Sequence, residues 1–105
     1  MPKGFTYFTS NKNRTVIYAG VTSELKVRIY KHKKRFYKGF ASRYNCDELI
    51  YFESFTNMAD AIKREKQMKR WSRAWKWKVV KEFNPDLKDL SADWFDEQGE
   101  LKKDL

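Results

Sequence analysis

The hydrophobic and polar positions of this chain change period several times, and each change marks an element. Gly4–Ser10 (GFTYFTS) alternates, with Phe5, Tyr7 and Thr9 on one side and Thr6 and Phe8 on the other, which predicts a strand. The polar run Ser10–Arg14 (SNKNR) is turn chemistry, and β-branched residues then fill a second strand over Thr15–Val21. A hairpin closed about Lys12-Asn13 sets Tyr7 directly opposite Tyr18, so that the two phenols share a face. Gly20 gives the end of this strand a permissive backbone, and Thr22 or Ser23 can cap a helix behind it. In that helix Leu25, Arg28, Ile29, His32 and Phe36 recur at three- and four-residue spacing along one side.

Tyr37–Asn45 reads as a loop in which Arg43 is interleaved with Phe40 and Tyr44. The near-continuous apolar run of Leu49–Phe55 predicts a third strand at the centre of the sheet, covered on both faces. Asn57, with Asp60 three residues later, opens a second helix whose inward stripe is Met58, Ala61, Ile62, Glu65 and Met68. Ser72 ends that helix and caps the next, where Trp71, Trp75, Val79 and Phe83 form a stripe at four-residue steps. That regularity predicts core packing rather than a stacking platform, with Trp77 off the stripe. Asn84-Pro85 stops the helix, because a proline disfavours helical geometry in the residue before it. Asp86–Leu105 either adds a short packed helix or frays. The expected fold is α/β: a small three-stranded, mostly antiparallel sheet flanked by helices over residues 1–90, followed by an acidic tail over 91–105.

At 105 residues the chain has room for a single core, and its 17% aromatic content makes up for a modest 41% hydrophobic share. The net charge of +9 is unevenly spread: from Asp86 onward seven acids face three lysines, leaving −4, so the preceding residues carry +13. A basic body of this kind favours a polyanion, and nucleic acid fits better than a membrane surface because no basic helix has the broad apolar face of an interfacial anchor. No apolar run approaches a membrane span, and MPKGFTYF lacks a signal-peptide core. Cys46 is the single cysteine, which excludes a disulfide framework or a cysteine-rich zinc site. A soluble, cytoplasmic protein with no evident obligate protein partner is expected.

Three residues carry candidate chemistry. Arg28 on an inward face needs an anionic partner. His32, the only histidine, is either a boundary residue satisfied by a backbone carbonyl or a proton-handling group. Glu65 is the one acid on the apolar face of an otherwise basic helix, and a carboxylate there either pairs with Arg28 or a neighbouring lysine, or binds a metal. Lys26, Lys33, Arg43, Lys69 and Arg70 are the candidate nucleic-acid contacts.

Taken in order, Phe5-Thr6-Tyr7, Tyr18-Ala19-Gly20, VTSELKVRIYKHK and AIKREKQMKRW resemble the GIY-YIG nuclease family, and more closely its small stand-alone branch, over about Lys3 to Leu90. The first tripeptide keeps only the tyrosine of Gly-Ile-Tyr, and Ala19 replaces the isoleucine of Tyr-Ile-Gly. The resemblance implies a metal-dependent endonuclease that cuts DNA one strand at a time, leaving a 5′-phosphate and a 3′-hydroxyl. It implies that Glu65 is the single carboxylate ligand of a magnesium or manganese ion and that Arg28 stabilises charge on the scissile phosphate. Tyr7 and Tyr18 would flank the attacking water, with His32 assisting proton transfer, while Gly20 and Asn84 support the site. The alternative is a non-catalytic nucleic-acid-binding module that keeps the fold. The acidic tail runs beyond the usual end of the branch and is expected to shield part of the basic surface.

Overall fold

A computed structural model describes residues 1–35 and 39–103. Among them, three strands form one antiparallel sheet: β1 (Gly4–Ser10), β2 (Ile17–Thr22) and β3 (Glu48–Phe55). The α/β class and the three-stranded sheet are as expected, but the strand order is β2-β1-β3, so β1 and not β3 is central. Residues Thr6 to Ser10 of β1 are all buried, as a central strand covered on both faces requires. The long apolar run of β3 has another cause. Its register jumps from Phe8↔Tyr51 to Thr9↔Leu49, and this bulge lets Ile50 and Tyr51 join the same apolar cluster.

The hairpin closes two residues further out than the symmetric turn would put it. Ser10 pairs with Ile17, so Tyr7 lies opposite Gly20 and Tyr18 lies opposite Thr9. Asn11 accounts for the longer loop: its side-chain oxygen accepts from the backbone N–H of both Thr15 and Val16, at 2.9 Å each. Arg14 turns the chain in the left-handed region at φ 57°. Because the shift is two residues and side chains alternate with period two, the tyrosines are diagonal neighbours yet keep a common face.

Behind β2 the hydroxyl of Thr22 accepts from the N–H of Glu24 at 3.1 Å and leads into α1 (Leu25–Lys33), which buries Leu25, Ile29 and His32 as the spacing predicts. The Phe36 end of that stripe lies outside the described residues. Part of the expected loop is a single helical turn, α2 (Phe40–Arg43). Asn57 caps α3 (Met58–Arg70) by accepting from Asp60 N–H at 2.9 Å. The buried residues of α3 are Ala61, Glu65 and Met68, whereas Ile62 is exposed, one position off the centre of the stripe.

Ser72 caps α4 (Arg73–Phe83) and Asn84 ends it, both as expected. The predicted aromatic stripe is not the buried face, however. Each four-residue step turns about 40° further round an α-helix, so a row at i+4 spacing drifts off any one contact face. Trp75 and Phe83 are 45% and 48% exposed, while Val80 is fully buried and Trp77 packs half-buried against the core.

Among the described residues two apolar clusters result. Phe8, Ala19, Ile50, Tyr51, Met68 and Val80 form one, and Tyr7, Leu25, Ile29 and Leu49 form the other. The acidic C-terminal stretch packs rather than frays: Leu90, Trp94 and Phe95 close over the second cluster, with one 3₁₀ turn at Ala92–Trp94. Asp89 anchors it by pairing with Lys33 at 2.8 Å and accepting from Leu49 N–H at 3.2 Å. Burial raises the Asp89 pKa, but Lys33 and Ser91 outweigh it and hold the carboxyl below its usual range. Glu100 then meets Tyr30 at 2.9 Å and Lys34 at 3.1 Å.

Asn84 ties this stretch to the sheet. Its amide donates to the carbonyls of Ile50 (3.1 Å) and Lys88 (2.8 Å), and its oxygen accepts from Lys88 N–H at 3.1 Å. At 5% exposure no water can replace those partners readily. Asn84→Ala is expected to destabilise the fold by about 1–3 kcal/mol through the stranded carbonyls, read as a lower urea midpoint at unchanged slope.

Candidate active site

The residues marked out by chemistry come from three elements. Tyr7 projects from β1, Tyr18 from β2 and Arg28 and His32 from α1, and they meet on the sheet face against which α1 lies. Tyr7 is fully buried, and its Oη lies 2.9 Å from His32 Nε2. The rings of Tyr7 and Tyr18 each meet the imidazole edge-to-face with centroids 5.8 Å apart, so His32 sits between the two phenols. The Tyr7 hydroxyl is thus a side-chain partner of His32.

Gly20 matters here for space rather than for backbone freedom. It is an ordinary strand residue directly opposite Tyr7, and its φ is not positive. A Cβ built on it would overlap Tyr7 Oη and Cζ and approach Cε1 to 2.9 Å. The phenol therefore occupies the volume that a side chain at residue 20 would need.

Burial, and after it the Arg28 guanidinium one turn away, pushes the His32 pKa down to about 4. The imidazole is consequently neutral at pH 7, with one ring nitrogen able to accept a proton. In the tautomer protonated at Nδ1, Nε2 accepts from the Tyr7 hydroxyl.

The last group arrives from the sheet's other layer. Glu65 on α3 is 8% exposed, and its Oε2 pairs with Lys69 Nζ at 2.8 Å across one helical turn. Of the partners left open by spacing, the neighbouring lysine is the one observed. That hydrogen bond, outweighing burial, holds the Lys69 ammonium above the usual lysine range, with smaller contributions from the charges of Glu65 and Tyr18. An i,i+4 acid–base pair can be read from sequence, but only the burial of Glu65 singles this one out among the charges of α3.

The remaining candidates are engaged elsewhere or exposed. Asn84 is spent on Ile50 and Lys88. Lys26 lies over the Trp94 ring at 5.8 Å, and Lys33 is held by Asp89. Arg43 is exposed beside the Tyr44 ring at 5.7 Å, and Arg70 is exposed at the end of α3. Sequence spacing missed the network in which Glu53 joins Tyr51 to Arg64, whose guanidinium stacks on Trp71 at 5.0 Å. An open groove along α4, lined by Ala74, Trp77, Lys78, Lys81 and Glu82, shares no residue with the site.

Residues 3–78 match the model of the GIY-YIG catalytic domain. The chain belongs to the GIY-YIG family. Among its relatives, a UPF0213 protein of Pediococcus pentosaceus is 32% identical over 87 residues, covering 83% of this chain and 92% of that protein. UPF0213 proteins of Staphylococcus epidermidis and Syntrophus aciditrophicus are each 28% identical, covering 78% and 82% of this chain and 99% and 98% of their own lengths. No solved structure gives a significant match. GIY-YIG membership places the chain in a nuclease family that acts on nucleic acid and generally uses divalent metal ions. No helix among the described residues is long and apolar enough to cross a membrane.

The donor set suits such an ion. Glu65 offers a hard carboxylate oxygen, and no group of three or more His, Cys, Asp or Glu that could hold a metal exists among the described residues. An ion bound at Glu65 would take most of its ligands from water and phosphate, the habit of magnesium.

The His32 environment predicts a pH dependence. Between pH 6.5 and 4 the unfolded chain binds a proton at this histidine that the folded protein does not, so stability falls as pH is lowered through that window. The loss should approach about 3 kcal/mol and be absent in His32→Asn. As the only histidine, its ring signal is unique in an NMR titration, with an expected midpoint near pH 4; a midpoint of about 6.5, the value of a solvated histidine, would contradict this burial.

Proposed function

We propose that this GIY-YIG protein is a cytoplasmic, divalent-metal-dependent endonuclease that hydrolyses DNA one strand at a time. The observation that carries the reading is the Tyr7–His32–Tyr18 contact, with Arg28 beside it and, on α3, a buried Glu65 carboxylate paired with the more exposed Lys69. A binding module has little use for a neutral imidazole bonded to a buried phenol or for a carboxylate sunk into a basic helix, since neither attracts phosphate.

The roles follow from charge and proton affinity. Phosphodiesters are anionic and repel a nucleophile, so the permanent charge of Arg28 offsets what gathers on the phosphate oxygens as the reaction proceeds. A divalent ion held by Glu65 supplies further charge neutralisation when bound. Tyr18, the half-buried phenol, orients the attacking water, while Tyr7 is fully buried, and either phenol can take a proton only as it gives up its own. On the Tyr7 side His32 Nε2 stands 2.9 Å away to receive the phenolic proton in turn. A positive charge left on that buried imidazole is tolerated only beside the anionic substrate, which ties this proton relay to occupied sites.

Nucleic-acid contact falls to the exposed cations. Arg43 and Arg70 keep their outward positions, and Lys69 borders the site. Lys33 and Lys34 are instead engaged by Asp89 and Glu100, which fits a shielding role for the acidic stretch.

Two experiments test these assignments. Labelled single-stranded, duplex and branched DNA should be cut with magnesium or manganese and spared with EDTA. Folded Glu65→Ala should not cut, and Arg28→Ala should cut on the order of 10²–10³ times more slowly; binding without cleavage on every substrate would leave the non-catalytic module as the better reading. For the shield, Glu100→Lys should bind DNA more tightly than wild type at low salt and lose the gain at high salt. Equal affinity at low salt would count against it.

A further inference from the structure

Glu65 carries a carboxylate that is 10% exposed at the side chain, whereas the side chain of its partner Lys69 is 55% exposed. A buried carboxylate without a counter-ion is costly, so something must neutralise Glu65 when no metal is present. Lys69 does so through a single 2.8 Å contact to Oε2. The two halves of the pair differ in mobility. Glu65 is fixed in the inward stripe between Ala61 and Met68, while the lysine stem lies in solvent and its ammonium can leave by rotations that disturb no packing.

A divalent ion approaching this carboxylate therefore meets a positive charge already bonded to one of its oxygens. Like charges at such a distance repel, and the exchange is favourable only if the ammonium withdraws. We propose that Lys69 is the resident counter-ion of Glu65 in the metal-free protein and that metal loading exchanges it, freeing its charge for the phosphate of a bound strand. The inference rests on the metal-dependent reading of Glu65 and adds a positioning role for a lysine that sequence alone marks only as a backbone-phosphate contact. It has two consequences. The carboxylate stays neutralised and in place without metal, and ion binding and strand binding favour one another, because each draws away one member of the pair.

Manganese is the probe, followed by its EPR signal with the full-length protein at low ionic strength and no nucleic acid present. Lys69→Met removes the charge at similar bulk and should bind Mn²⁺ about three- to tenfold more tightly than wild type, the range left to an ion pair with one solvent-facing partner. Lys69→Arg keeps the charge and should gain nothing, and Glu65→Gln should lose the site. Lys69→Met binding no tighter than wild type, with Glu65→Gln still abolishing the signal change, would overturn the exchange while leaving the metal reading intact. Unchanged Mn²⁺ binding in Glu65→Gln would instead remove the metal reading itself. As an independent check, reductively methylated protein should show a Lys69 methyl signal that moves on Mg²⁺ addition in wild type and not in Glu65→Gln. A Lys69 signal indifferent to saturating Mg²⁺ would also overturn the exchange.

Discussion

Tyr7 can stand inside the sheet's covered face only because the residue across from it has no side chain. The phenol lies over Gly20, in volume that any Cβ would claim, and from there it reaches His32 Nε2 at 2.9 Å. The other positions in the site follow from that placement. His32 is buried because it must lie within reach of a buried hydroxyl, and its neutrality follows from the burial and from Arg28. Tyr18 joins the group because its direct partner, Thr9, lies two residues from Tyr7 along β1 and so on the same face of the sheet.

Charge is handled in two different ways in the two layers. On α1 burial, and after it the guanidinium of Arg28, keeps the imidazole of His32 uncharged, so the site on that side carries permanent positive charge without a titrating competitor near pH 7. On α3 the opposite sign is buried, and Glu65 is tolerated at 8% exposure because Lys69 reaches it from the next turn. Away from the site, the acidic C-terminal stretch takes up cations of α1 through Asp89 and Glu100 while Trp94 and Phe95 close over Tyr7, Leu25, Ile29 and Leu49. Covering the core and trimming the basic surface are done by the same residues.

Much of this was legible in the chain. Strong local signals identified the hairpin strands, the inward faces of α1 and α3, the caps at Asn57 and Ser72 and the stop at Asn84-Pro85, because each depends on side chains within a turn or two of one another. The ordered tyrosine tripeptides and helical motifs also sufficed to name the GIY-YIG family, which the match over residues 3–78 bears out.

What local pattern misjudged depends on long-range packing. Apolar runs show that a strand is covered, but not whether it is central or at an edge, and the edge position of β3 follows only from its pairing with β1. Four-residue spacing marks a face of α4 without saying where the core lies, and the drift of that row left Trp75 and Phe83 outside while Val80 went in. The hairpin register turned on Asn11, whose side chain bonds two backbone N–H groups and lengthens the loop by an even number of residues. Sequence by itself determined which residues could carry charge and protons and which faces they shared. Only the tertiary structure decided that Gly20 opens room for Tyr7, that His32 bonds a phenol and that Glu65 is held by Lys69, because each of these depends on burial and on atoms brought together from separate elements.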